Sequence, residues 1–155
     1  MGTFNSLIDA KFSPPRNWIL DTPLKFNSEE LCDEGQKLFK KCGVKITKAN
    51  VITAPKGYIT DFASIPRFCW GFIAPFDIAR AAVIHDVLYE KINGAFKKEK
   101  ITKEQKKIAR KYADYTFREA MRSAEPEVPC WKIWCAFNAV RLFGWAAIKN
   151  SAPRK

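Results

Sequence analysis

Short runs rich in β-branched and aromatic residues occupy the first part of the chain. Proline, glycine, asparagine and serine separate most of these runs, and such residues favour the turns between strands. The pattern therefore predicts a small antiparallel β-sheet. Its expected strands lie within four runs, namely Phe4 to Phe12, Trp18 to Phe26, Gly43 to Thr53 and Gly57 to Phe62.

One segment of this region has a helical pattern instead. Ser28 precedes two glutamates, and Leu31, Leu38 and Phe39 follow at helical spacing. Serine is a favoured N-cap residue because its side-chain oxygen accepts a hydrogen bond from a free backbone N–H of the first turn. We therefore expect an inserted helix over Ser28 to Lys41, capped by Ser28.

After about residue 70 the apolar residues recur with the period of an α-helix. The pattern predicts one helix over residues 77–92, capped by Asp77, and a second helix over residues 103–123. Thr102 and Gln105 have the spacing of a capping box, in which each side chain bonds the backbone N–H of the other residue. The residues between these helices, Asn93 to Lys100, are expected to form a loop.

A third helix is expected after Pro129, within an apolar stretch of nearly the length, about 20 residues, that spans a membrane. Lys132, Asn138 and Arg141 interrupt the stretch, and each charge near the centre of a bilayer costs at least about 2.5 kcal/mol. We interpret it as a helix of a soluble protein, with a membrane-surface role as the alternative. Its expected apolar face comprises Trp131, Trp134, Cys135, Leu142, Trp145 and Ala146.

Strands followed by helices indicate an α+β fold, with a small N-terminal antiparallel sheet packed against about three C-terminal helices. The chain has 155 residues, 47% of them hydrophobic, which is enough for the core of one domain without disulfides or metal. We therefore predict a single domain over residues 1–155. It would comprise a β-rich part (1–68), a helical part (69–150) and a short basic tail (151–155).

The net charge of +11 is large enough to attract polyanions, acidic proteins or anionic lipid. Residues 97–111 carry eight basic side chains against two acidic ones. Because no aromatic residues are interleaved with this run, it also has the pattern of a solvated helix face. The candidate polyanion-binding residues are Lys97, Lys98, Lys100, Lys103, Lys106 and Lys107.

The five cysteines include no C-x-x-C pair, so we expect reduced thiols in a reducing compartment. The first residues lack both the basic start and the apolar run of a signal peptide. These features predict synthesis in the cytoplasm.

The one histidine of the chain, His85, is followed by Asp86 in the middle of an apolar helix. Ionisable groups at such a position must pair, bind a ligand or face a cleft, because burying a charge without a partner is costly. Tyr89 lies one turn beyond His85, and Asp114 lies on the next helix. Asp61 lies at the junction between the last strand and the helices, where it would join this group from the edge of the sheet.

These residues suit a divalent cation, and Mn²⁺, Mg²⁺ and Zn²⁺ all accept imidazole and carboxylate ligands. The candidate metal ligands are Asp61, His85 and Asp114. The candidate catalytic residues are Asp86, Tyr89 and Ser64, with Asp86 as base or as the residue that orients His85.

Each of these residues also has a structural interpretation. His85 and Asp86 would form a satisfied polar pair at a buried helix contact, and Asp61 would cap a turn. Asp114 would pair with Arg110 or Arg118, each four residues away on the same helix. The chain contains no phosphate-binding loop, dinucleotide fingerprint, nucleophile elbow or zincin helix.

Four blocks of the sequence resemble the family of domain of unknown function 1353. Residues 57–67 (GYITDFASIPR) and 81–89 (AAVIHDVLY) resemble its signature blocks, and residues 113–121 and 139–144 resemble its C-terminal blocks. The resemblance covers about residues 44–147, and it implies a small protein of phage or prophage origin, generally without an assigned activity. The matched positions are Asp61, Ser64, Pro66, Arg67, His85, Asp86, Tyr89, Asp114 and Arg141.

Three functions therefore stand as hypotheses. The first is a phage- or prophage-encoded accessory protein, associated with the virion or tail or binding a host protein. It would be found in the host cytoplasm, with incorporation into the virion left open. The second is a small divalent-metal-dependent hydrolase of a phosphoester or cell-wall bond, using Asp61, His85, Asp86 and Asp114. The third is non-specific nucleic-acid binding through residues 97–111, with an affinity that falls as salt rises.

Overall fold

The computed structural model describes residues 2–14, 17–60, 78–125 and 127–147, and only the backbone for the last five of these. Residues 61–77, which include Cys69, lie outside this range. The described elements are six strands and four helices in the order expected for an α+β fold. They are β1 (Thr3–Phe4), β2 (Ala10–Ser13), β3 (Asn17–Leu20), β4 (Leu24–Asn27), α1 (Asp33–Lys41), β5 (Val51–Ala54), β6 (Ile59–Thr60), α2 (Ala79–Lys97), α3 (Lys103–Arg122) and α4 (Cys130–Ala147).

The strands form two antiparallel sheets rather than the one expected from the sequence. The first has the order β1-β4-β5 and the second has the order β2-β3-β6. Within β4, Leu24 and Phe26 are buried and Lys25 is exposed, so side chains alternate between the core and solvent. Phe26 pairs with Ile52 of β5, and both are fully buried. These two strands present the apolar face of the first sheet to α2.

The helix predicted over Ser28 to Lys41 begins five residues later, at Asp33, and its N-cap residue is Cys32. Ser28 does not cap it. Its hydroxyl instead donates a hydrogen bond to Glu119 of α3, at 2.5 Å. A distant carboxylate therefore replaces the local partner that the sequence pattern predicts for this serine.

The helix α2 is longer than predicted and ends at Lys97, so most of the expected Asn93 to Lys100 loop is helical. The predicted cap Asp77 lies outside the described residues, and Ile78 is the N-cap residue of the described helix. The second helix agrees with the prediction: Thr102 and Gln105 form both hydrogen bonds of the capping box at the start of α3. Local side-chain chemistry thus sets the start of α3.

The apolar face predicted for α4 is only partly directed to the core. Cys135 packs against the core, three of the six predicted residues are exposed, and the side chains of Trp145 and Ala146 lie outside the described part of the chain. Trp131, Trp134 and Leu142 are 54%, 68% and 65% exposed. Smaller side chains of α4 are buried instead, and α4 packs against α3. Those buried residues are Ile133, Ala136, Ala139 and Val140. Trp131, Trp134 and Leu142 are therefore left on the surface, whereas Phe137 packs partly against the core.

Candidate functional site

A buried polar cluster joins the three long helices. His85 of α2 lies 3.0 Å from Asp114 of α3, measured between Nε2 and Oδ1. The Tyr89 hydroxyl donates to the same oxygen at 2.7 Å. Arg141 of α4 donates to the other oxygen, Oδ2, at 2.9 Å. His85 and Asp114 are only 3% and 1% exposed, so the contact between them lies away from solvent.

Aromatic rings frame the imidazole of His85. Its centroid lies 4.2 Å from that of Tyr89 and 4.8 Å from that of Phe117. The guanidinium of Arg110 lies over the outer face of Tyr89, at 5.1 Å from its centroid. Packing against these rings fixes the orientation of the imidazole in which Nε2 contacts the carboxylate of Asp114.

The carboxylate of Asp114 is ionised despite its burial. Burial alone raises the pKa of a carboxyl group, but the hydrogen bond and charge of His85 oppose this. With the further hydrogen bonds from Tyr89 and Arg141, they hold the pKa of Asp114 below its usual range. Burial and the negative charge of Asp114 raise the pKa of the Tyr89 phenol, so the phenol stays protonated and donates.

An ionised carboxylate only accepts hydrogen bonds, so Nε2 of His85 carries the proton of their shared bond. In the neutral ring the lone pair then lies on Nδ1. Nδ1 has no hydrogen-bond partner among the described residues. The arrangement can therefore hold an imidazole in one orientation and one tautomer, with its basic nitrogen free of protein donors in the described part of the chain.

The His85–Asp86 pair expected as the structural alternative is not formed. Asp86 accepts a hydrogen bond from the Thr60 hydroxyl of β6, at 2.8 Å. Asp114 likewise pairs with Arg141 on another helix, not with the nearby Arg110 or Arg118 of α3. In both cases a residue distant in sequence replaces the expected local partner.

The structure brings together four of the nine family-matched residues, His85, Tyr89, Asp114 and Arg141. Asp86 lies next in sequence but makes a separate contact with the strand before position 61. The other four, Asp61, Ser64, Pro66 and Arg67, lie outside the described residues.

Within the described residues, no group of three or more His, Cys, Asp or Glu side chains could hold a metal ion. At Asp114, moreover, Arg141 places a positive charge 2.9 Å from one carboxylate oxygen. A cation bound at the same carboxylate would be repelled by that guanidinium. Asp61, the third expected ligand, lies outside the described residues, so the metal site of Asp61, His85 and Asp114 stays a prediction.

A second buried carboxylate was missed in the sequence. Glu119 of α3 is 1% exposed, and it accepts bonds from the Ser28 hydroxyl and from the backbone N–H groups of Glu29 and Glu30. The two N–H groups lie 2.8 and 3.3 Å from its Oε1. This carboxylate ties the segment before α1 to α3. In the sequence, Glu119 is an acidic residue among apolar positions of α3, and this pattern does not identify its partners.

Three large apolar side chains are exposed on one side of α4, which we call the tryptophan surface and define as Trp131, Trp134 and Leu142. Beside it lies a groove of about 290 Å³, whose lining includes Arg118 and Phe137. The guanidinium of Arg118 lies over the rings of Tyr115 and Phe137 at 5.0 and 5.1 Å. The groove thus combines aromatic faces with a cation, a composition that favours binding.

The candidate polyanion-binding lysines lie where α2 ends and α3 begins. All are exposed apart from the half-buried Lys106. They are Lys97, Lys98, Lys100, Lys103, Lys106 and Lys107. The described cysteines, Cys32, Cys42, Cys130 and Cys135, carry free thiols. Over the described residues, none of the helices has both the length and the apolar character needed to cross a membrane.

The sequence was compared with protein families, curated proteins and solved structures. A family model described as "Protein of unknown function (DUF1353)" matches residues 36–140. No curated protein and no solved structure matches the chain. The matched range includes α2, α3 and most of α1 and α4, with His85, Tyr89 and Asp114 of the buried cluster, and it ends one residue before Arg141.

Proposed function

Because the chain belongs to the DUF1353 family, whose function is unknown, we propose a role for it from its surface. It is a phage- or prophage-encoded accessory protein that binds an acidic protein partner, in the virion or tail or in the host. The observation that carries this proposal is the tryptophan surface. Tryptophan and arginine are the residues most enriched at the energetic centres of protein interfaces.

The first support is the exposure of the large residues of α4. Trp134 and Leu142 are each about two-thirds exposed, at 68% and 65%, although the helix has smaller apolar residues in its packed face. Leaving large apolar side chains in water forfeits about 25 cal/mol for each Å² of surface that could be buried. A clustered set of such side chains on one helix therefore indicates a surface that a partner covers.

The second support is the charge beside this surface. Arg118 lines the groove beside this surface. Arg118 also forms no ion pair with any described acid. Since the whole chain carries a net charge of +11, two copies would repel each other at this surface. An acidic partner would supply the missing carboxylate, so a different protein fits better than a second copy.

The double variant Trp131→Ser, Trp134→Ser tests this proposal in the phage or lysogen that encodes the protein. We expect wild-type protein to co-sediment with virions or with a defined host complex. The co-sedimenting fraction of the variant should be at least about 30-fold lower. Truncating an interface tryptophan at an energetic centre costs about 2 kcal/mol or more, which corresponds to that factor. Quantitative mass spectrometry of the gradient fractions measures the ratio.

A matched control is Leu7→Ser, Phe12→Ser, which removes two other exposed apolar side chains, 71% and 55% exposed, from the β-rich part. This control should co-sediment like wild type. Wild-type protein found only as a free monomer would refute the proposal. The proposal would also be refuted if the tryptophans caused the protein to associate with a second copy or with anionic vesicles, and not with a protein partner.

A second candidate function, a small hydrolase of a phosphoester or cell-wall bond, rests on the held imidazole of His85. Nδ1 would take a proton from a water molecule as that water attacks the phosphorus or carbonyl carbon, and would return it to the leaving group. Asp114 is then a positioning residue, because it acts through His85. Arg141, whose side chain is 41% exposed, would lie between the buried carboxylate and an anionic substrate.

His85→Gln tests this candidate, because glutamine can still donate to Asp114 but cannot act as the base. Hydrolysis of bis(p-nitrophenyl) phosphate or of purified peptidoglycan should fall by at least about 100-fold, the usual contribution of a general base. Melting curves with and without added Mn²⁺, Mg²⁺ or Zn²⁺ accompany the assay. Wild-type protein without activity on either substrate contradicts the candidate. A metal-dependent rise in melting temperature that His85→Gln abolishes would instead support the ligand assignment.

A further inference from the structure

A cavity of about 530 Å³ lies at the junction of three helix ends, far from the tryptophan surface. Its wall includes Lys41 from the end of α1, Lys97 from the end of α2, and Lys100 from the connection to α3. Gln105 of α3 also lines the cavity. We call this cavity the lysine pocket, defined by these four residues.

The positive charge of the lysine pocket has little local compensation. Among the described residues, none of its three lysines forms an ion pair. Lys41 donates to the neutral amide of Gln105 at 3.0 Å, and Glu99 is the one acidic side chain of the wall. Three ammonium groups therefore face one carboxylate, an excess that an anion would neutralise.

A further basic residue adds to this crowding. Lys106 lies over the ring of Phe96, which lines the same cavity, at 4.2 Å from its centroid. Burial lowers the pKa of Lys106, and the charges of Arg110 and Lys97 lower it further. These neighbouring like charges repel one another in the folded chain. A bound anion would relieve this repulsion.

Further positive charge lies along α3, in a row that begins next to Thr102 of the pocket wall and runs on a different side of the helix from Gln105. Lys103, Lys107 and Lys111 are exposed and lie four residues apart, which places them on one side of the helix at steps of about 6 Å. A single small anion would fill the pocket but leave this row unused. A long polyanion with repeated charges would contact both.

We propose that the lysine pocket binds a phosphate group of a nucleic-acid backbone, and that the row on α3 contacts the phosphates that follow. The ring of Phe96, 36% exposed, brings to the pocket the aromatic side chain that the basic run itself lacks. A lipid surface fits less well, because the most exposed large apolar side chains, those of Leu7, Trp134 and Leu142, lie outside this site. Gln105 and Arg118 are thirteen residues apart on α3, or about 20 Å, so this site is separate from the tryptophan surface.

Fluorescence anisotropy with a labelled single-stranded DNA of mixed sequence tests the proposal on the full chain. The site variant is Lys41→Gln, Lys97→Gln, Lys100→Gln. Its matched control is Lys25→Gln, Lys45→Gln, Lys56→Gln, which removes the same charge from exposed lysines of the β-rich part. Titrations are repeated between about 50 and 200 mM salt, a range over which phosphate contacts weaken strongly.

We expect the site variant to bind at least about tenfold more weakly than wild type, with the control within about twofold. The slope of log affinity against log salt should decrease in magnitude by about 0.7, since the pocket holds one phosphate and each lost phosphate contact on a single strand contributes about 0.7. Equal losses in the two variants would overturn the proposal, because net charge alone would then explain binding. So would the absence of binding at low salt, or a site-dependent association with anionic vesicles but not with DNA.

Discussion

Replacing Asp114 by alanine should lower the free energy of unfolding by about 3–5 kcal/mol, the usual result of breaking a buried ion pair by removing one partner. The side chain is 1% exposed and accepts from His85, Tyr89 and Arg141 on three sides. Its removal leaves a buried imidazole and a phenol without their acceptor. Urea denaturation followed by tryptophan fluorescence measures the change, and the melting temperature should fall by roughly 10 °C.

The control for this variant is Asp9→Ala, which removes an exposed carboxylate of the β-rich part and should change stability by less than about 0.5 kcal/mol. Asp114→Asn should give an intermediate loss, because the amide oxygen can still accept from His85 or Tyr89 while the charge that pairs with Arg141 is gone. A loss below about 1 kcal/mol in Asp114→Ala would contradict the cluster as a stabilising element. It would also mean that the three helices do not depend on this carboxylate.

The contribution of Asp114 should depend on pH in a defined direction. Its folded pKa is held below that of the unfolded chain, where an aspartate has a pKa of about 3.9. Such a group stabilises the fold above the unfolded pKa, and the stabilisation is lost as pH falls through the folded pKa. The difference between wild type and Asp114→Asn should therefore be complete at neutral pH and decrease below about pH 4. A difference that grows on acidification would reverse the sign inferred here.

Glu119→Ala should lower the free energy of unfolding by about 2–4 kcal/mol. The carboxylate is fully buried and accepts from the Ser28 hydroxyl and from two backbone N–H groups, those of Glu29 and Glu30. Hydrogen bonds to a charged acceptor contribute about 1.5–3 kcal/mol each, and donors that stay buried without a partner cost more. Urea denaturation again measures the change.

Hydrogen exchange separates this effect from general destabilisation. In Glu119→Ala the amides of Glu29 and Glu30 should exchange faster than in Ser28→Ala, which removes only the hydroxyl donor. The matched control Glu90→Ala removes an exposed glutamate of α2 and should alter neither stability nor exchange at these amides. Unchanged exchange at Glu29 and Glu30 in Glu119→Ala would show that Glu119 does not hold this segment.

The sequence by itself determined the α+β class, the order of the elements and the start of α3. These features depend on neighbours in the chain. Turn residues between short β-rich runs favour hairpins, and the helical period marks α2 and α3. The capping box of Thr102 and Gln105 forms as expected because both partners lie within one turn of the same helix. Four sequence blocks also identified the family, which the family model confirms over residues 36–140.

The sequence predicted that His85, Tyr89 and Asp114 would lie close together, but not how they pair. An imidazole and carboxylates within apolar helices indicate that some pairing must occur, since unpaired burial is costly. The sequence does not say which residues pair, because several partners lie within reach on the same helix. Packing of α2, α3 and α4 decided that His85 and Arg141 both meet Asp114, while Asp86 turns to Thr60.

Tertiary structure alone decided the two features on which the proposed binding surfaces depend. Helix α4 has apolar residues on most of its circumference, so its period does not select a buried side. The contact with α3 admits small residues such as Ala136 and Ala139 and leaves Trp131 and Trp134 outside. Likewise, the chain carries its lysines in separate segments, and only the meeting of three helix ends brings Lys41 to Lys97 and Lys100. Distances across a fold depend on packing, which sequence spacing does not encode.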